Sequence, residues 1–291
     1  MICLSAHLVV LSVTVPCLTV LALGCSGDQS LGSGFPAADA ASAFDGADLS
    51  APPGSSCSNH VGTDAASGVN ENLLAWYRCE SAGTSGNVLL DSSGHANDGK
   101  LLSGIVGSSG YTFSAGKVGN ALYLTEANKG YAALPAGILA NACEATIATW
   151  VYINSTTNAW SRIWDFGKDT TSYMYLTRNN NLDHVARFGI SNSGNTHEEV
   201  ISGQNNVGAL SWTHVAVVLG PSGGTLYFDG VPVGTNTAMK LRPADLGSTP
   251  NNYIGRSQFP SDPYFDGDVD EFRIYNRALS TEEIHALASG S

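Results

Sequence analysis

From Leu73 onward, the chain alternates short apolar runs with polar turns. Runs such as ATIATWVYI, THVAVVL and TLYFDGVPVG are rich in β-branched and aromatic residues, and Gly, Asn, Ser and Asp separate them. This pattern predicts β-strands bounded by turns. Asp229-Gly230 stands between two such runs and predicts a hairpin turn. Many short strands with turns between them indicate a sandwich or a barrel.

One run, FDGDVDEFRIYNRAL at 265–279, places an acid on an apolar face. In a regular strand, Asp270, Phe272 and Ile274 share one side. A charged carboxylate in a core is very costly without a partner. The pattern therefore leaves three outcomes for Asp270: a solvated position at the rim, a pair with Arg256 or Arg78, or a bound cation.

The C-terminal end predicts a helix. In ALSTEEIHAL, Ser280 is the N-cap and Glu283 follows three residues later, which is the pattern of a capping box. Ile284 and Leu287 then face the same side of the helix. We expect this short helix to close over the end of the sandwich.

The first 25 residues predict export. HLVVLSVTVPCLTVLALGC is an apolar run that ends in a small residue and a Cys, as a secretory signal does. LALGC also resembles a bacterial lipobox, in which Cys25 would become the lipidated first residue and anchor the protein to a membrane. Ala22 departs from the Leu of that pattern, and an uncleaved anchor is a further alternative. Each interpretation places the rest outside the cytoplasm, at the bacterial surface or outer membrane, or secreted.

Composition separates a tether from a domain. Residues 26–70 are dominated by Gly, Ala, Ser, Pro and Asp, which predicts a flexible tether, and residues 71–291 then form one domain. The net charge is −12, and no Lys or Arg precedes Arg78. A nucleic-acid partner is excluded because its phosphates require a basic surface. The acidity favours either solubility or Ca²⁺ binding by some carboxylates.

The cysteines predict one disulfide. Cys57, Cys79 and Cys143 lie beyond the signal segment, and export permits a disulfide. We pair Cys79 with Cys143 because each adjoins a strand-like run, whereas Cys57 lies in the tether and is a competing partner for Cys79. No C-x₂-C spacing favours metal ligation by these residues.

An ordered series of motifs carries a family resemblance. LLDSSGHANDGKL, FSAGKVGNALYL, WDFG, WTHVAVVL, NNYIGRS and VDEFRIYNRALSTEEI follow one another within residues 73–288. The series resembles the laminin-G-like jelly-roll family of the concanavalin A-like lectin/glucanase superfamily. The resemblance implies an all-β fold, a jelly-roll sandwich of two antiparallel sheets. It also implies a module that binds glycan or protein, often with Ca²⁺.

The resemblance further implies a structural Ca²⁺ between a loop near the first strand and the last strand. In this sequence its ligands would be Asp91, Asn97 and Asp270, with Asp98 as an alternative to Asn97. Ca²⁺ takes 6–8 oxygen ligands, and the loop DSSGHANDG is rich in side-chain oxygens. The competing interpretation is a turn stabilised by Asp and Asn side chains, with Asp270 at the rim.

Two loops supply candidate ligand-binding residues. The candidates in GRSQFPSDPYFDGD and NSTTNAWSR are Arg256, Gln258, Phe259, Asp262, Tyr264 and Trp160. Two prolines stiffen the first loop, and rigid loops that carry aromatic and polar groups often hold binding sites. Trp160 could stack on a sugar ring. Alternatively, Phe259 and Tyr264 only plug the edge of the sandwich.

Catalytic patterns are missing from the sequence. Asp268 and Asp270 superficially match the alternating acids of the superfamily's retaining glucanases, but Phe272 follows on that face and the leading Glu is absent. Retaining chemistry needs two carboxyl groups about 5–5.5 Å apart. THEEV at 196–200 lacks the second His of a zinc helix, and neither a G-x-S-x-G elbow nor a Walker A loop is present. We therefore predict a protein that is not an enzyme.

The sequence thus favours an extracellular binding module that recognises glycan or glycoconjugate, with Ca²⁺ as its assisting cofactor. The alternative is a structural or adhesion sandwich that binds a surface protein. A glycan-active hydrolase is the third and least favoured function.

Overall fold

The computed structural model describes residue 57 and residues 68–83, 86–154 and 159–290. All of them lie in one compact unit, Ala51–Ser291. The signal segment 1–25 with Cys25, and most of the tether 26–70, lie outside the described residues, so export and lipidation stay predictions. Within the part of the chain that is described, no helix is long and apolar enough to cross a membrane.

The described residues form sixteen strands and two short α-helices. The strands are β1 (Leu73–Ala82), β2 (Val88–Asp91), β3 (Gly99–Ser103), β4 (Tyr111–Ala115), β5 (Asn120–Leu124), β6 (Gly130–Leu134), β7 (Ala145–Ile153), β8 (Arg162–Gly167), β9 (Tyr173–Thr177), β10 (Arg187–Ser191), β11 (Glu199–Ser202), β12 (Trp212–Gly220), β13 (Gly223–Phe228), β14 (Val231–Asn236), β15 (Asn251–Ile254) and β16 (Gly267–Tyr275). The helices are α1 (Pro243–Leu246) and α2 (Thr281–Ala288). A 3₁₀ turn, Asn195–His197, precedes β11.

The strands pair in one antiparallel path that folds back on itself into two layers. The path runs β11-β10-β9-β8-β15-β6-β3-β2-β1-β16-β7-β12-β13-β14, with β5 beside β16 and β4 beside β5. The Asn236 side chain of β14 donates a hydrogen bond to the Val200 carbonyl of β11, 2.9 Å away, which joins the two ends. We call β11 to β2 the front sheet and β1 to β14 the back sheet. The predicted jelly-roll sandwich is confirmed.

The core lies between the two sheets, and strand alternation fills it. In β12, Val215 and Val217 are buried there. From the front sheet, Trp164 packs against Phe166 and Phe188, with ring centroids 5.4 and 6.0 Å apart. Alternate residues of each strand therefore supply the core, as expected for stacked antiparallel sheets.

The C-terminal helix has the predicted capping box. The Ser280 hydroxyl accepts a hydrogen bond from the Glu283 amide, and the Glu283 carboxylate accepts one from the Ser280 amide. Helix α2 does not close the end of the sandwich, however. Its Ile284 and Leu287 pack on the outer face of the back sheet, with Ala148, Ala216, Tyr227 and Tyr275. Small residues at the outer positions of β7 and β12 leave room for the helix. We call this covered surface the sealed face.

The regular alternation expected for the last strand is wrong, because β16 carries a bulge. Glu271 has a φ of 52°, and the register against β7 shifts between Asp270 and Arg273. An extra residue in one strand turns the following side chains to the other face. Phe272 and Ile274 therefore lie in the core, whereas Asp270 does not share their face.

Asp270 instead lies on the outer side of the back sheet. It pairs with Trp150 of β7, whose neighbour Val151 points into the core. Its Oδ2 accepts a hydrogen bond of 2.8 Å from the Val118 amide in the β4–β5 turn, and the side chain is fully buried. It pairs with neither Arg256 nor Arg78. Burial raises the pKa of Asp270 to about 7.

The disulfide joins Cys57 to Cys143, so the predicted Cys79–Cys143 bond is wrong. Cys79 is a free thiol with 2% of its surface exposed, and it packs into the core from β1. Leu73 at the start of β1 pairs with Tyr275, and Tyr275 pairs with Thr146, so Cys143 lies near that end of β1. Cys79 is six residues farther along the strand, roughly 20 Å away, and is out of reach of Cys143. Cys143 precedes β7 and meets the segment that enters the domain.

Candidate functional site

The outer face of the front sheet carries a row of aromatic and charged side chains. In β9, Met174 and Leu176 point into the core, so Tyr173 and Tyr175 face outward. Asp165 of β8 pairs with Tyr175 and shares that outward face. No described helix packs over these residues, and we call this surface the open face.

The loop 255–266 folds across the open face and is held there by hydrogen bonds. The Gln258 amide donates to Asp165 Oδ2 over 3.1 Å, and the Gln258 side chain donates to the Asn251 carbonyl over 2.8 Å. Phe259 packs edge-on against Tyr173, with ring centroids 5.3 Å apart. The sequence prediction of a stiff, aromatic loop therefore has a structural counterpart.

A pocket of about 240 Å³ opens between this loop and the sheet. Its walls are Trp160, Arg162, Tyr175, Arg187, Asn195, Glu198, Phe259 and Asp262. Three of the six predicted ligand-binding residues, Trp160, Phe259 and Asp262, thus meet at one site. The other walls come from β8, β9, β10 and the turn before β11.

Arg162 forms the centre of the pocket. Its Nη2 lies 3.0 Å from an Asp262 carboxylate oxygen, and its Nε lies 3.4 Å from Asp165 Oδ2. Its guanidinium carbon is 3.8 Å from the centroid of the Tyr175 ring and 5.5 Å from that of Trp160. Burial raises the pKa of Asp165 to about 6, although Arg162 opposes that shift. The arginine is held by two carboxylates and the flanking rings.

A second ion pair lines the opposite wall. Arg187 Nη2 lies 2.7 Å from Glu198 Oε2, and Arg187 Nε donates to the Tyr175 hydroxyl over 3.2 Å. The hydroxyls of Tyr173 and Tyr175 donate to the two Glu198 oxygens over 2.7 and 3.2 Å. Burial, opposed by Arg162, raises the pKa of Tyr175 to about 12, so its hydroxyl stays a donor at neutral pH.

These contacts define what the pocket can bind. Both arginines are paired with carboxylates, so the site presents little net charge. Its groups are planar and fixed, and each charged group keeps further donor or acceptor positions. Aromatic rings and oriented polar groups together suit a ligand that has an apolar face and many hydroxyl groups.

The three remaining loop candidates lie elsewhere. Gln258 holds the loop down and does not line the pocket. The Arg256 guanidinium carbon stacks on Tyr131 and Tyr253, 4.8 and 4.7 Å from the ring centroids. Tyr264 packs against Tyr131, with centroids 6.1 Å apart. Arg256, Tyr264, Tyr131 and Tyr253 form a second cluster on the same open face.

The predicted calcium ligands each make hydrogen bonds within the protein. The Asp91 carboxylate accepts hydrogen bonds from the Trp76, Ser93 and Asn97 amides and from the Ser93 hydroxyl. Burial raises the pKa of Asp91, but these hydrogen bonds outweigh it and hold the pKa below its usual value. Four donors already surround this carboxylate, so the loop matches the competing interpretation of a side-chain-stabilised turn.

The other two predicted calcium ligands, Asn97 and Asp270, also make hydrogen bonds within the protein. The Asn97 side chain donates to the Leu74 carbonyl over 2.8 Å, beside Asp91. Asp270 binds the β4–β5 turn and shares no recorded partner with either residue. A calcium ion held jointly by these three residues stays a prediction. Across the described ranges, no group of three or more His, Cys, Asp or Glu side chains is placed to hold a metal.

Sequence reasoning missed five residues of the pocket wall, namely Arg162, Tyr175, Arg187, Asn195 and Glu198. One signal was available: in YMYLT, Tyr173 and Tyr175 alternate with core residues. Two outward tyrosines on a front strand indicate an aromatic surface. Glu198 lies in THEEV, which had been considered only as a zinc motif. No local pattern indicates that Glu198 would meet Arg187.

The comparisons with known proteins agree with the fold. A laminin G family model, described as the concanavalin A-like lectin/glucanases superfamily, matches residues 125–285, more than half of the chain. The chain belongs to this superfamily. No curated protein matches the sequence.

Solved structures of other members of this fold resemble the chain. Domain 4 of AbnA, a GH43 extracellular arabinanase from Geobacillus stearothermophilus, in complex with arabinotriose, has a TM-score of 0.62 and 22% identity, over 75% of this chain and 98% of that one. Botulinum neurotoxin type C, whose cell entry depends on two ganglioside molecules, has a TM-score of 0.58 and 14% identity, over 76% and 52%.

The binding domain of botulinum neurotoxin DC in complex with rat synaptotagmin II gives a TM-score of 0.55 and 14% identity, over 76% and 52%. The chain therefore spans about half the length of the neurotoxin structures. At these identities, the similarity establishes the fold alone.

Proposed function

We propose that this protein is a non-catalytic extracellular module that binds a sugar of a glycan or glycoconjugate in the pocket on the open face. The observation that carries the proposal is the cage around Arg162. The Arg162 guanidinium, which the buried Asp165 holds in place, the Asp262 carboxylate and the rings of Trp160 and Phe259 meet at one opening. Such a set hydrogen-bonds hydroxyl groups on one side and stacks on C–H groups on the other.

The size of the pocket limits the ligand. A volume of about 240 Å³ lies just below the roughly 300–1,000 Å³ of pockets that enclose drug-sized molecules. The pocket therefore suits one terminal sugar ring, with the rest of the glycan outside it. The arabinotriose and ganglioside ligands of the structural neighbours support a sugar as the ligand class.

Catalysis is not part of the proposal. Asp165 has a raised pKa, as a general acid needs, but its side chain is fully buried beneath Arg162 and the Gln258 amide. Asp262 is tied to Arg162 and to the Ser257 hydroxyl, 2.8 Å away. A glycosidase needs an accessible protonated carboxyl beside a second carboxylate. This pocket offers ion-paired carboxylates instead.

A protein ligand is the second candidate. Leu182 and Leu210, in the loops after β9 and β11, are 78% and 65% exposed, which favours a protein contact. The synaptotagmin II complex of a structural neighbour supports the same alternative. Export remains part of the proposal, and the Cys57–Cys143 disulfide supports it because such bonds persist in oxidising compartments.

A glycan array tests the function. We expect the purified protein to bind a set of glycans that share one terminal sugar, and Phe259→Ala and Trp160→Ala to lose at least tenfold in affinity. Trp212→Ala, a half-buried tryptophan of the back sheet, is the matched control and keeps binding. Arms with Ca²⁺ and with EDTA test calcium assistance. Soluble polysaccharides assayed for new reducing ends test hydrolysis.

If the protein bound no glycan of the array but bound a purified surface protein, the protein-binding alternative would be favoured. New reducing ends that disappear in Asp262→Asn would establish an enzyme and overturn the non-catalytic proposal.

A further inference from the structure

Arg256 is an arginine without an anion. The structure records no carboxylate within ion-pair distance of it and no hydrogen-bond acceptor for its guanidinium among the described residues. Its recorded contacts are the faces of Tyr131 and Tyr253, 4.8 and 4.7 Å away. Contacts of this kind contribute about 0.5–2 kcal/mol and leave the N–H donors at the guanidinium edge unused.

The other described arginines differ from Arg256. Arg162, Arg187, Arg273 and Arg277 each lie within 3.0 Å of a carboxylate oxygen. Arg178 and Arg242 donate to backbone carbonyls. Arg78 lies 3.8 and 3.9 Å from two carboxylates. In a protein of net charge −12, an arginine with no carboxylate within ion-pair distance is an unusual arrangement.

The surroundings of Arg256 supply further hydrogen-bond donors. Tyr264 packs on Tyr131, and Tyr131 packs edge-on against Tyr253. The Tyr253 hydroxyl donates to Asn251, 3.1 Å away, whereas no partner is recorded for the hydroxyls of Tyr131 and Tyr264 in the described structure. All four side chains are partly exposed. The cluster therefore offers a cation and free hydroxyl donors to solvent.

The cluster adjoins the sugar pocket. Tyr253 pairs with Asp165 across β15 and β8, and Asp165 pairs with Tyr175 across β8 and β9. Two strand spacings separate Tyr253 from Tyr175, which is roughly 10 Å. The loop 255–266 carries both Arg256 and the pocket wall residue Phe259. A ligand that occupies the pocket can thus extend over the cluster within the length of a disaccharide.

We propose that Arg256, with Tyr131 and Tyr264, binds an oxyanion of the glycan, a carboxylate or a sulfate ester, on the sugar next to the one in the pocket. The inference rests on the proposed sugar-binding function. The planar fork of an arginine matches both oxyanions in bidentate geometry, and the hydrogen bonds are charge-assisted. The pocket, whose arginines are already paired, contributes recognition of hydroxyls, and Arg256 selects acidic glycans.

The direct test follows the Arg256 side chain by NMR. Its Nε–H signal is assigned by its loss in Arg256→Lys and is then titrated with sodium glucuronate, glucose 6-sulfate and glucose. We expect a shift with one or both acidic sugars and none with glucose. A response to glucuronate alone identifies carboxylates, and a response to the sulfate alone identifies sulfate esters. No shift with either acid overturns the inference.

Affinity measurements complete the test. For acidic glycans that bind on the array, Arg256→Gln lowers the affinity about tenfold to a hundredfold, the effect of losing a charge-assisted hydrogen bond. It changes the affinity for the neutral counterpart less than twofold. Arg78→Gln is the matched control, because Arg78 also stacks on an aromatic ring, Trp76, but belongs to the back sheet. It leaves both affinities unchanged.

The two proposals fail in different ways. Phe259→Ala could lose glycan binding while wild type and Arg256→Gln bind acidic glycans with equal affinity. That result would support the sugar pocket and contradict the anion subsite. The Arg256 signal could shift with glucuronate while Phe259→Ala and Trp160→Ala leave glycan affinity unchanged. That result would support the anion subsite and contradict the sugar pocket.

Discussion

The two outer faces of this sandwich have opposite chemistry. On the sealed face, Ile284 and Leu287 of α2 cover small and aromatic side chains of the back sheet. On the open face, no helix of the described residues covers Tyr173, Tyr175 and Arg162, and ion pairs and a hydrogen-bonded loop surround them. The side chains of both faces are largely buried, so burial alone does not distinguish a structural surface from a binding surface.

The difference lies in what remains unsatisfied at each face. The sealed face is held mainly by apolar contacts, which helix α2 supplies. The open face uses arginines and carboxylates, whose remaining donors and acceptors point toward the pocket opening. A substitution on the sealed face should therefore change stability only. A substitution on the open face should change binding, and also stability where it breaks a buried charge pair.

The largest effect is expected for Arg162→Met on the open face. Asp165 is fully buried and would lose its cation, which costs about 3–5 kcal/mol of unfolding free energy. The pocket would lose its central group as well, so glycan binding should disappear. Denaturant unfolding at pH 5 and pH 8 measures the stability, and a glycan titration measures the binding.

The pKa of Asp165 determines how the stability changes with pH. The pKa of Asp165 lies at about 6 in the folded protein, above its usual value of 3.8. The folded state therefore favours the protonated carboxyl, and stability is lost as the pH rises from about 4 to 6. Arg162→Met raises this pKa further and extends the loss to higher pH. The double variant Arg162→Met/Asp165→Asn should recover most of the stability. An equally unstable double variant would show that the buried charge is not the cause.

The sealed face gives the second prediction. Ile284→Ala removes a fully buried side chain from the contact between α2 and the back sheet, and we expect it to cost about 3 kcal/mol. Glycan affinity should not change, because the pocket belongs to the other sheet. Thermal melts and the same glycan titration decide this. Reduced affinity in a folded Ile284→Ala protein would mean that the two faces are coupled.

Asp270→Asn gives the third prediction, and we expect this substitution to stabilise the fold. The pKa of Asp270 is about 7, above its usual value of 3.8, so charging this buried carboxyl destabilises the fold as the pH rises from about 4 through 7. The amide keeps an oxygen for the Val118 amide and removes the charge. We expect a gain of about 1–3 kcal/mol at pH 8 and none at pH 4.

The same variant tests calcium. If Ca²⁺ bound Asp270, an excess of about a hundredfold over its Kd would stabilise the wild type by about 2.7 kcal/mol, and Asp270→Asn would lose that gain. Melts at pH 8 with Ca²⁺ and with EDTA compare the two proteins. A calcium-dependent rise that only the wild type shows would establish Asp270 as a ligand, and no rise in either protein would contradict the predicted site.

These outcomes also show how far the sequence could be interpreted. Short β-branched and aromatic runs between turns, such as those of β7 and β12, indicated a sandwich or a barrel, and Ser280 with Glu283 specified the helix start. Both signals depend on neighbouring residues alone. The bulge at Glu271 could not be predicted from the sequence, because one extra residue turns the following side chains to the other face of the sheet without changing the composition of the strand. The Cys57–Cys143 bond was missed because the strand pairing that separates Cys79 from Cys143 depends on residues distant in the sequence.

The sequence predicted only part of the pocket wall. Trp160, Phe259 and Asp262 could be chosen because aromatic and acidic residues in polar loops have few structural uses. Arg162 and Glu198 could not, since their partners Asp262 and Arg187 are brought to them by strand pairing and loop folding. Unpaired Arg256 lies between these cases. Its loop was predicted, but the absence of an acid beside it required the structure.

The smallest effect tests whether the sealed face is only a scaffold. Ser280→Ala removes the N-cap of α2 and should cost about 1 kcal/mol, because the Glu283 amide loses its acceptor. Glu283→Ala should cost more, since Glu283 also accepts hydrogen bonds of 2.7 and 2.8 Å from Arg277. Thermal melts rank the two variants, and both should keep wild-type glycan affinity. If Ser280→Ala weakened glycan binding more than it lowered stability, helix α2 would have to contribute to the open face. The division of the sandwich into a structural and a binding side would then be wrong.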